Sequence, residues 1–129
     1  DAKNVNFKEL PDGEPLKQAS SDGRGFAVSG GVAAAVVKAV NRMDPTRTVK
    51  VVSAEGLANC KKMMQLAKAG KYNGYLLEGM ACPGGCVAGA GTMQPIKKSQ
   101  AAVKQYASKA QHATSSETEY VKELDKLVD

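Results

Sequence analysis

The sequence predicts an α/β fold, with a small parallel sheet of βαβ type flanked by helices. Residues 48–53 are rich in β-branched side chains, which favour a strand, and residues 75–77 predict a second, more apolar strand. Between them, residues 57–67 place apolar side chains three and four positions apart, the spacing of an amphipathic helix. Two strands joined by a helix in this order are expected to lie parallel, with a right-handed crossover.

A buried helix is predicted before the first strand. Ser29 can cap its N-terminus, and Asp44 with Pro45 ends it. Its apolar positions recur at helical spacing and are Val32, Ala33, Val36, Val37 and Val40. This spacing predicts that the helix buries an apolar face in the core.

Two further helices are predicted after the second strand. Residues 97–110 are rich in Ala, Lys and Gln, and their helix is expected to direct Val103 and Tyr106 inward. Ser116 and Glu119 have the spacing of a capping box ahead of a last helix. The apolar stripe of that helix consists of Tyr120, Val121, Leu124, Leu127 and Val128.

The N-terminal residues predict less regular structure. Residues 4–10 alternate weakly between apolar and polar side chains and predict a short strand or extended arm, and residues 13–25 predict a polar surface loop. A chain of 129 residues is long enough for one hydrophobic core. We therefore expect a single domain over residues 1–129, with an arm and loop at 1–25, a core at 26–95 that includes a glycine-rich loop at 78–95, and C-terminal helices at 96–129.

The composition is that of a folded protein, with 43% hydrophobic and 24% charged residues. No apolar run approaches the length of a membrane span, so we expect none. The net charge of +5 comes from dispersed lysines, and with 5% aromatic residues and no Trp we expect no nucleic acid partner. An acidic electron-transfer partner suits the positive charge better, because complementary charge speeds encounter.

The cysteine count and the first residue bear on the origin of the chain. Three cysteines, an odd number, do not suit a disulfide framework, so a reducing cytoplasm is expected. The chain begins with Asp1 and has no basic region followed by an apolar stretch, so we expect a cloned fragment without an export signal.

The residues after the second strand carry the chemistry. Segment 78–91 reads EGMACPGGCVAGAG, and its glycines indicate backbone that bends sharply or approaches a ligand closely. Cys82 and Cys86 lie on one side if the stretch turns helically, with Pro83 at its first position. Thiolates bind soft metals, and the spacing is short for a zinc knuckle, so iron–sulfur ligation is favoured. The alternative is a tight turn with two ordinary buried cysteines, because two ligands alone complete no cluster.

Segment 78–91, followed by Gln94 and Pro95, closely resembles the last of the three signature motifs of iron-only hydrogenases. Residues 25–32, which read GFAVSGGV, resemble the Phe-Gly-x-Thr-Gly-Gly-Val segment that lines the active-site pocket of that family. The similarity covers nearly everything from residue 4 to about residue 110. It implies one lobe of the hydrogenase catalytic domain, from a divergent branch, because two additional residues precede the Gln-Pro pair.

By this resemblance, the full-length protein interconverts molecular hydrogen with protons and electrons at an H-cluster, a 4Fe-4S cluster bridged by a cysteine to a diiron centre. Cys82 and Cys86 match two of its four metal-binding cysteines. Cys86, the bridging cysteine, and Met80, a neighbour of the diiron ligands, are the catalytic residues that the resemblance implies. The cofactor-binding pocket that it implies is formed by Phe26, Ser29, Gly30, Gly31, Met80 and Gly85.

The family's other two motifs, which supply the remaining cluster cysteines and a proton-relay cysteine, are absent from this sequence. We therefore expect the isolated chain to be inactive, to lack the H-cluster, and to need the missing N-terminal part of the catalytic domain as a partner. An electron carrier such as ferredoxin is the second expected partner, and apolar surface left by the missing part is expected to cause self-association. The alternatives are an iron–sulfur cluster binding or assembly protein of the same superfamily, and a hydrogen-sensing regulatory hydrogenase.

Other chemically distinctive residues have simpler interpretations. Cys60 lies on the apolar stripe of its helix, so we expect a core residue rather than a third ligand. Met63 and Met64 are expected to fill the core, and His112, in a polar stretch, to face solvent. Glu78 is expected either to accept a hydrogen bond from a backbone amide or to face solvent, with a role in proton transfer as a further alternative.

Overall fold

The computed structural model describes residues 6, 8–11, 13 and 18–124. Within them, a parallel sheet of two strands is flanked by helices. In chain order the elements are α1 (Ser21–Gly25), α2 (Gly31–Met43), β1 (Lys50–Glu55), α3 (Leu57–Lys68), β2 (Tyr75–Met80), α4 (Ile96–Ser108) and α5 (Val121–Leu124). Single 3₁₀ turns lie at Cys86–Ala88 and Ser115–Glu117. This arrangement confirms the predicted α/β fold.

The two strands pair in parallel, from Lys50 opposite Tyr75 to Glu55 opposite Met80. Both strands reach further toward their carboxyl ends than the sequence pattern predicts. The predicted loop at 78–95 therefore begins inside β2, because Glu78 and the two residues after it pair with β1. The ends of the strands lie side by side at the edge of the sheet where α/β proteins commonly bind ligands.

Helix α2 is only partly buried, so the expectation of a buried helix is wrong. Ala33 is 4% exposed, whereas Val36, one turn later, is 38% exposed. The helix packs against β2. A sheet of two strands is too narrow to cover the whole apolar stripe of this helix, and part of the stripe lies at the surface.

Helix α3 connects β1 to β2 and packs against both strands, as predicted. Gly56 before it and Gly70 after it have φ values of 79° and 83°, which glycine adopts without steric cost. Met63 is 6% exposed, which confirms its place in the core. Met64 is 58% exposed, contrary to prediction, because successive helical residues point about 100° apart.

The predicted cap of α2 is also wrong. The residue that precedes the helix is Gly30, with φ of 86°, and no side chain caps the helix from that position. The Ser29 hydroxyl bonds the carboxylate of Glu55 instead. A carboxylate brought in by β1 thus replaces the local backbone amide as the partner of Ser29.

The capping box near the C-terminus is shifted from its predicted position. It pairs Thr114 with Glu117 around the 3₁₀ turn, rather than Ser116 with Glu119. Arg42 of α2 binds both the Ser116 hydroxyl and the Glu117 carboxylate. Thr114 and Glu117 have the same three-residue offset as Ser116 and Glu119, so the spacing alone allows both registers, and the Arg42 contacts favour the observed one.

Helix α1 lies in the segment predicted to be a loop. Ser20 caps it, and the Ser21 N–H donates to the carbonyl of His112 at 2.8 Å. The Arg24 guanidinium donates to the Tyr106 carbonyl at 2.9 Å and lies 4.1 Å from the centre of the Tyr106 ring. Tyr106, with Arg24 over its ring, is 52% exposed, so the prediction that it points inward is wrong. His112 is half-buried, so the prediction that it faces solvent is also wrong.

Some expectations fall on residues outside the structure's description. Of the predicted strand or arm at 4–10, only residues 6 and 8–10 are described, and there the Glu9 N–H donates to the Asn6 carbonyl in a turn. Leu127 and Val128 of the last predicted helix also lie outside the described residues. None of the helices in the described ranges has the length and apolarity that a membrane crossing requires.

Candidate functional site

Glu78 of β2 joins the sheet to the start of α2. Its carboxylate oxygens accept hydrogen bonds from the backbone N–H of Gly30 at 2.7 Å and of Ala33 at 3.0 Å. Such N–H groups at a helix N-terminus have no partner within the helix, and negative charge suits that end of the helix dipole. The side chain is buried, with 7% of the residue exposed. Between amide bonding and a solvent-facing side chain, amide bonding is therefore correct.

Glu55, the last residue of β1, plays a corresponding part on the neighbouring strand. Its carboxylate accepts a hydrogen bond from the Gly84 N–H at 2.9 Å and another from the Ser29 hydroxyl. Both bonds favour the ionised carboxylate, so they lower the pKa of Glu55, with the Ser29 bond as the larger cause. The end of β1 is thereby tied to two separate loops.

The peptide groups of Gly84 are bound from three directions. In addition to the Glu55 bond at its N–H, its carbonyl accepts from the Ser29 N–H and from the Gln100 side chain of α4, each at 3.2 Å. Gly84 is buried, with φ of 89°. It lies midway between Cys82 and Cys86, so these bonds fix the centre of the segment that carries both thiols. We call residues 81–89 the cysteine loop.

Gly85 brings the cysteine loop against the turn before α2. A Cβ at this position would lie 2.5 Å from the Ser29 nitrogen and 2.6 Å from the Ala27 carbonyl oxygen. The Val87 N–H then donates to the same Ala27 carbonyl at 3.1 Å. A side chain at Gly85 cannot be accommodated without moving backbone, and the φ of 97° favours glycine as well.

Cys82 is half-buried and Cys86 is exposed. The segment between them is not a continuous helical turn, because Gly84 and Gly85 both have positive φ, and a 3₁₀ turn begins only at Cys86. The Cys82 sulfur lies 3.9 Å from the position of a Cβ on Gly89, so the loop folds back toward that thiol. The condition under which the sequence places both sulfurs on one side, a helical turn, is thus not met.

The structure brings several residues of the predicted pocket together. Gly85 of the cysteine loop lies against the backbone of Ser29, and the Gly30 N–H donates to the Glu78 carboxylate. Gly31 follows in the same turn, where a Cβ would overlap the Gly25 carbonyl oxygen. The requirements for glycine at Gly31 and Gly85 both arise from close approaches of backbone to backbone.

Phe26 and Met80 line separate cavities in the described part of the chain. Met80 borders a groove of about 230 Å³ between α2 and β2, beside Val32 and Val36. Phe26, which is 46% exposed, borders a smaller cavity of about 60 Å³ beside Ala39 of α2. The structure thus does not bring these two predicted pocket residues together.

Cys60 lies apart from the cysteine loop. Its thiol approaches the carbonyl oxygens of Ala54 at 3.5 Å and Met80 at 3.6 Å, between α3 and the ends of both strands. A Cβ on Gly79 would lie 3.3 Å from the Cys60 sulfur, so the glycine leaves room for it. Cys60 thus packs between α3 and the sheet, as predicted, but it is half-buried rather than fully within the core.

Two residues that hold the cysteine loop are missing from the sequence prediction. Glu55 falls just beyond the predicted end of its strand, and Gln100 lies in a polar stretch of α4. An acidic residue at the carboxyl end of a strand in a parallel sheet is the available signal for Glu55, since loops that carry sites meet there. Gln100 gives no comparable signal.

The thiols suit part of an iron–sulfur ligand set. Cysteine thiolates are the protein ligands of such clusters, and a 4Fe-4S cluster takes four of them. Among residues 18–124 and the few described before them, no group of three or more His, Cys, Asp or Glu side chains could hold a metal ion. Cys82 and Cys86 therefore fit an incomplete set, to which other ligands must be added.

Comparison with known proteins identifies relatives. Residues 1–90 match the family model described as "Iron only hydrogenase large subunit, C-terminal domain". The chain is also 33% identical to the periplasmic [Fe] hydrogenase large subunit of Nitratidesulfovibrio vulgaris. That similarity covers 71% of this chain but only 28% of the relative, so the chain spans little more than a quarter of the relative's length.

Proposed function

The chain belongs to the iron-only hydrogenase large subunit family, within its C-terminal domain, and from this we propose that it contributes cysteine ligands and pocket wall to the H-cluster of a hydrogenase. In the full-length protein, the reaction is the reversible interconversion of molecular hydrogen with protons and electrons. The observation that carries the proposal is the binding of the Gly84 peptide groups by Glu55, Ser29 and Gln100. These bonds fix a two-cysteine loop at the carboxyl edge of a parallel sheet.

The residues of the loop have distinct roles in this proposal. Cys82 and Cys86 would be iron ligands, and Cys86, which is exposed, would take the bridging role that the family resemblance implies. When bound, the cluster supplies the redox chemistry, and the protein supplies binding and orientation. Gly85 lets the loop reach the turn that contains Ser29, Gly30 and Gly31.

Met80 contributes an apolar wall. Its side chain borders the groove between α2 and β2, where the neighbouring side chains are mostly aliphatic. A thioether is polarisable and carries no charge, so it excludes water without adding a competing proton donor. We propose Met80 as the residue that keeps water from the reacting centre.

The proposal requires ligands and partners from outside the chain. Two thiols leave half of a four-cysteine set empty, so the missing N-terminal part of the catalytic domain is the partner that completes the site, and the isolated chain is inactive. The net charge of +5 suits an acidic electron carrier such as ferredoxin. We place the protein in the cytoplasm on its cysteine content, although the Nitratidesulfovibrio relative is named as periplasmic.

One observation favours a second candidate function. Phe26 and Met80 line different cavities, so the described residues form no continuous apolar wall from both. An iron–sulfur cluster binding or assembly protein needs the two cysteines but not that wall. Such a protein would bind a cluster and evolve no hydrogen.

Anaerobic reconstitution of the 129-residue chain with iron and sulfide tests the proposal. We expect well under four irons per chain after gel filtration, because only two cluster cysteines are present, and the same low value for a Cys60→Ser variant. The matched Cys82→Ser variant loses the residual iron. A stable cluster with four irons per chain, retained in the absence of any partner, contradicts the proposal and favours the binding-protein function.

A further inference from the structure

The cysteine loop depends on a residue that neither the cysteine motif nor the turn before α2 contains. Glu55 is separated from Gly84 by 29 positions, yet its carboxylate accepts the Gly84 N–H at 2.9 Å. We infer that Glu55 is a positioning residue, which sets the separation and orientation of the Cys82 and Cys86 thiols before any metal is bound. The purpose of this positioning, the binding of iron, rests on the proposed function, whereas the positioning itself does not.

The burial of Gly84 gives the Glu55 bond its importance. A buried backbone N–H needs an acceptor, and the carboxylate of Glu55 is the acceptor that the structure provides. Without it, the Gly84 N–H is left unpaired or the loop shifts until water reaches it, and either change moves the segment between the two cysteines. The bond is also charge-assisted, which makes it stronger than a bond between neutral groups.

The second partner of Glu55 explains how an exposed carboxylate holds a fixed position. The Ser29 hydroxyl donates to the same side chain, and the Ser29 N–H donates to the Gly84 carbonyl. Ser29 and Glu55 thus bind the two sides of Gly84 and also bind each other. The three residues form a closed set of hydrogen bonds across the end of β1, the turn before α2 and the cysteine loop.

The orientation of the thiols follows from the backbone at this point. Gly84 and Gly85 have φ values of 89° and 97°, and the Gly85 N–H returns to the Cys82 carbonyl at 3.0 Å. Glycine has many accessible conformations, so a pair of glycines between two ligands does not by itself fix the ligands. The external bonds to Gly84 supply the constraint, and Glu55 supplies the one on the N–H side.

Hydrogen exchange of the 129-residue chain measures the positioning directly. We expect Glu55→Ala to speed exchange of the Gly84 amide by about tenfold or more, since the charged acceptor of that amide is lost. Glu55→Gln retains one oxygen acceptor and is expected to have a smaller effect. Glu119→Gln, a change at an exposed carboxylate distant in sequence, is the control and leaves Gly84 exchange unchanged.

A second measurement asks whether the thiols themselves are positioned. Phenylarsine oxide is uncharged and joins two neighbouring thiols through two As–S bonds, releasing one water without change of oxidation state. We expect the affinity of phenylarsine oxide for the Cys82 and Cys86 thiols of the folded chain to fall about tenfold in Glu55→Ala, with partial rescue in Glu55→Gln. The measurement is anaerobic, and mass spectrometry of the 82–86 peptide locates the bound arsenic. If Glu55 only stabilised the fold as a whole, its removal would change the reactivity of the Cys82 and Cys86 thiols and of the single Cys60 thiol alike.

The two measurements give a clear decision. Faster exchange at Gly84 together with weaker arsenical binding supports the inference, and values within twofold of the unsubstituted chain for both overturn it. If Glu55→Ala also speeds exchange in β1 and β2, Ser29→Ala decides in its place, because it removes only one partner of the carboxylate. Neither measurement uses iron, so a chain that passes both while its assembled protein binds no cluster refutes the proposed function and leaves the positioning role standing.

Discussion

The Glu78 carboxylate accepts a 2.7 Å hydrogen bond from the backbone N–H of Gly30, 48 positions earlier in the chain. The bond links the carboxyl end of β2 to the left-handed residue from which α2 begins. Glu55 makes the corresponding link from β1 to the cysteine loop. Each strand of the parallel sheet therefore holds, through a glutamate in its carboxyl-terminal half, one of the two segments that resemble hydrogenase motifs.

Replacing Glu78 by Gln is expected to destabilise the chain by about 1–3 kcal/mol, because the amide nitrogen of Gln then faces one of two N–H donors, of which that of Ala33 is buried and that of Gly30 is partly buried. Urea denaturation followed by circular dichroism measures this loss. Glu119→Gln provides the control, with a change within about 0.5 kcal/mol. A Glu78→Gln chain as stable as the control would show that the two amide bonds do not hold α2 to the sheet.

Two adjacent methionines of α3 are expected to differ sharply. Met63→Ala removes a side chain that is 6% exposed and should cost about 2–5 kcal/mol, whereas Met64, which is 58% exposed, should tolerate the same change within about 0.5 kcal/mol. Thermal or urea unfolding of the two variants checks the difference. Equal losses would mean that α3 packs on the sheet through a different face.

Glu117 is expected to make the chain sensitive to acid. The Arg42 guanidinium beside it, helped by the Ala113 amide, lowers the pKa of its carboxyl from 4.5 to about 2. A carboxyl whose pKa is lower in the folded state contributes stability above about pH 4.5, and that contribution is lost as the pH falls toward 2. The stability difference between the unsubstituted chain and Glu117→Gln, measured by urea denaturation, should be greatest near pH 6 and fall steadily as the pH drops from about 4.5 through about 2.

A difference that stays constant from pH 6 to pH 2 would contradict this account of Glu117. Glu119→Gln is again the matched control, since its carboxyl lies two positions along the chain. A pH dependence of equal size in both variants would not come from the Arg42 contact with Glu117.

Gly85→Ala is expected to disrupt the cysteine loop more than Gly74→Ala disrupts the turn before β2. Both glycines have positive φ, at 97° and 76°, so both substitutions carry backbone strain of about 1–3 kcal/mol. Only at Gly85 does the new Cβ meet backbone atoms at 2.5 Å and 2.6 Å, while nothing lies within 4 Å at Gly74. A larger stability loss at Gly85 in urea denaturation, with altered thiol reactivity at Cys82, is the expected result; equal losses would contradict the close approach.

The elements with strong periodicity were predictable from the sequence. The strands and α3 follow from β-branched residues and helical spacing, and their parallel arrangement follows from their order. The extra strand length up to Met80 was not predictable, because Glu78 and Gly79 resemble loop residues until their pairing with β1 is known. Helix α1 depends likewise on contacts with residues 106 and 112, which no local pattern reveals.

The candidate site was predictable in its residues but not in its geometry. The cysteine motif and the GFAVSGGV segment identify the two loops, and the structure brings them together at Gly85 and Ser29. Glu55 joins these two loops although it lies 29 positions before Gly84, a separation at which sequence spacing predicts no contact. Glu55 and Gln100 are distant from Gly84 in sequence, so their hydrogen bonds to it are visible only in the folded chain. The roles of these two residues therefore required the structure.

A chimeric hydrogenase tests the central claim most directly. Residues 1–90 of this chain replace the matching segment of the Nitratidesulfovibrio vulgaris large subunit, and hydrogen uptake and iron content are measured anaerobically, with a Cys86→Ser chimera in parallel. We predict that the Cys86 chimera consumes hydrogen and that the Ser version does not. A soluble chimera that binds as much iron as the parent subunit but takes up hydrogen equally with Cys or Ser at position 86, or not at all in either form, would contradict the assignment.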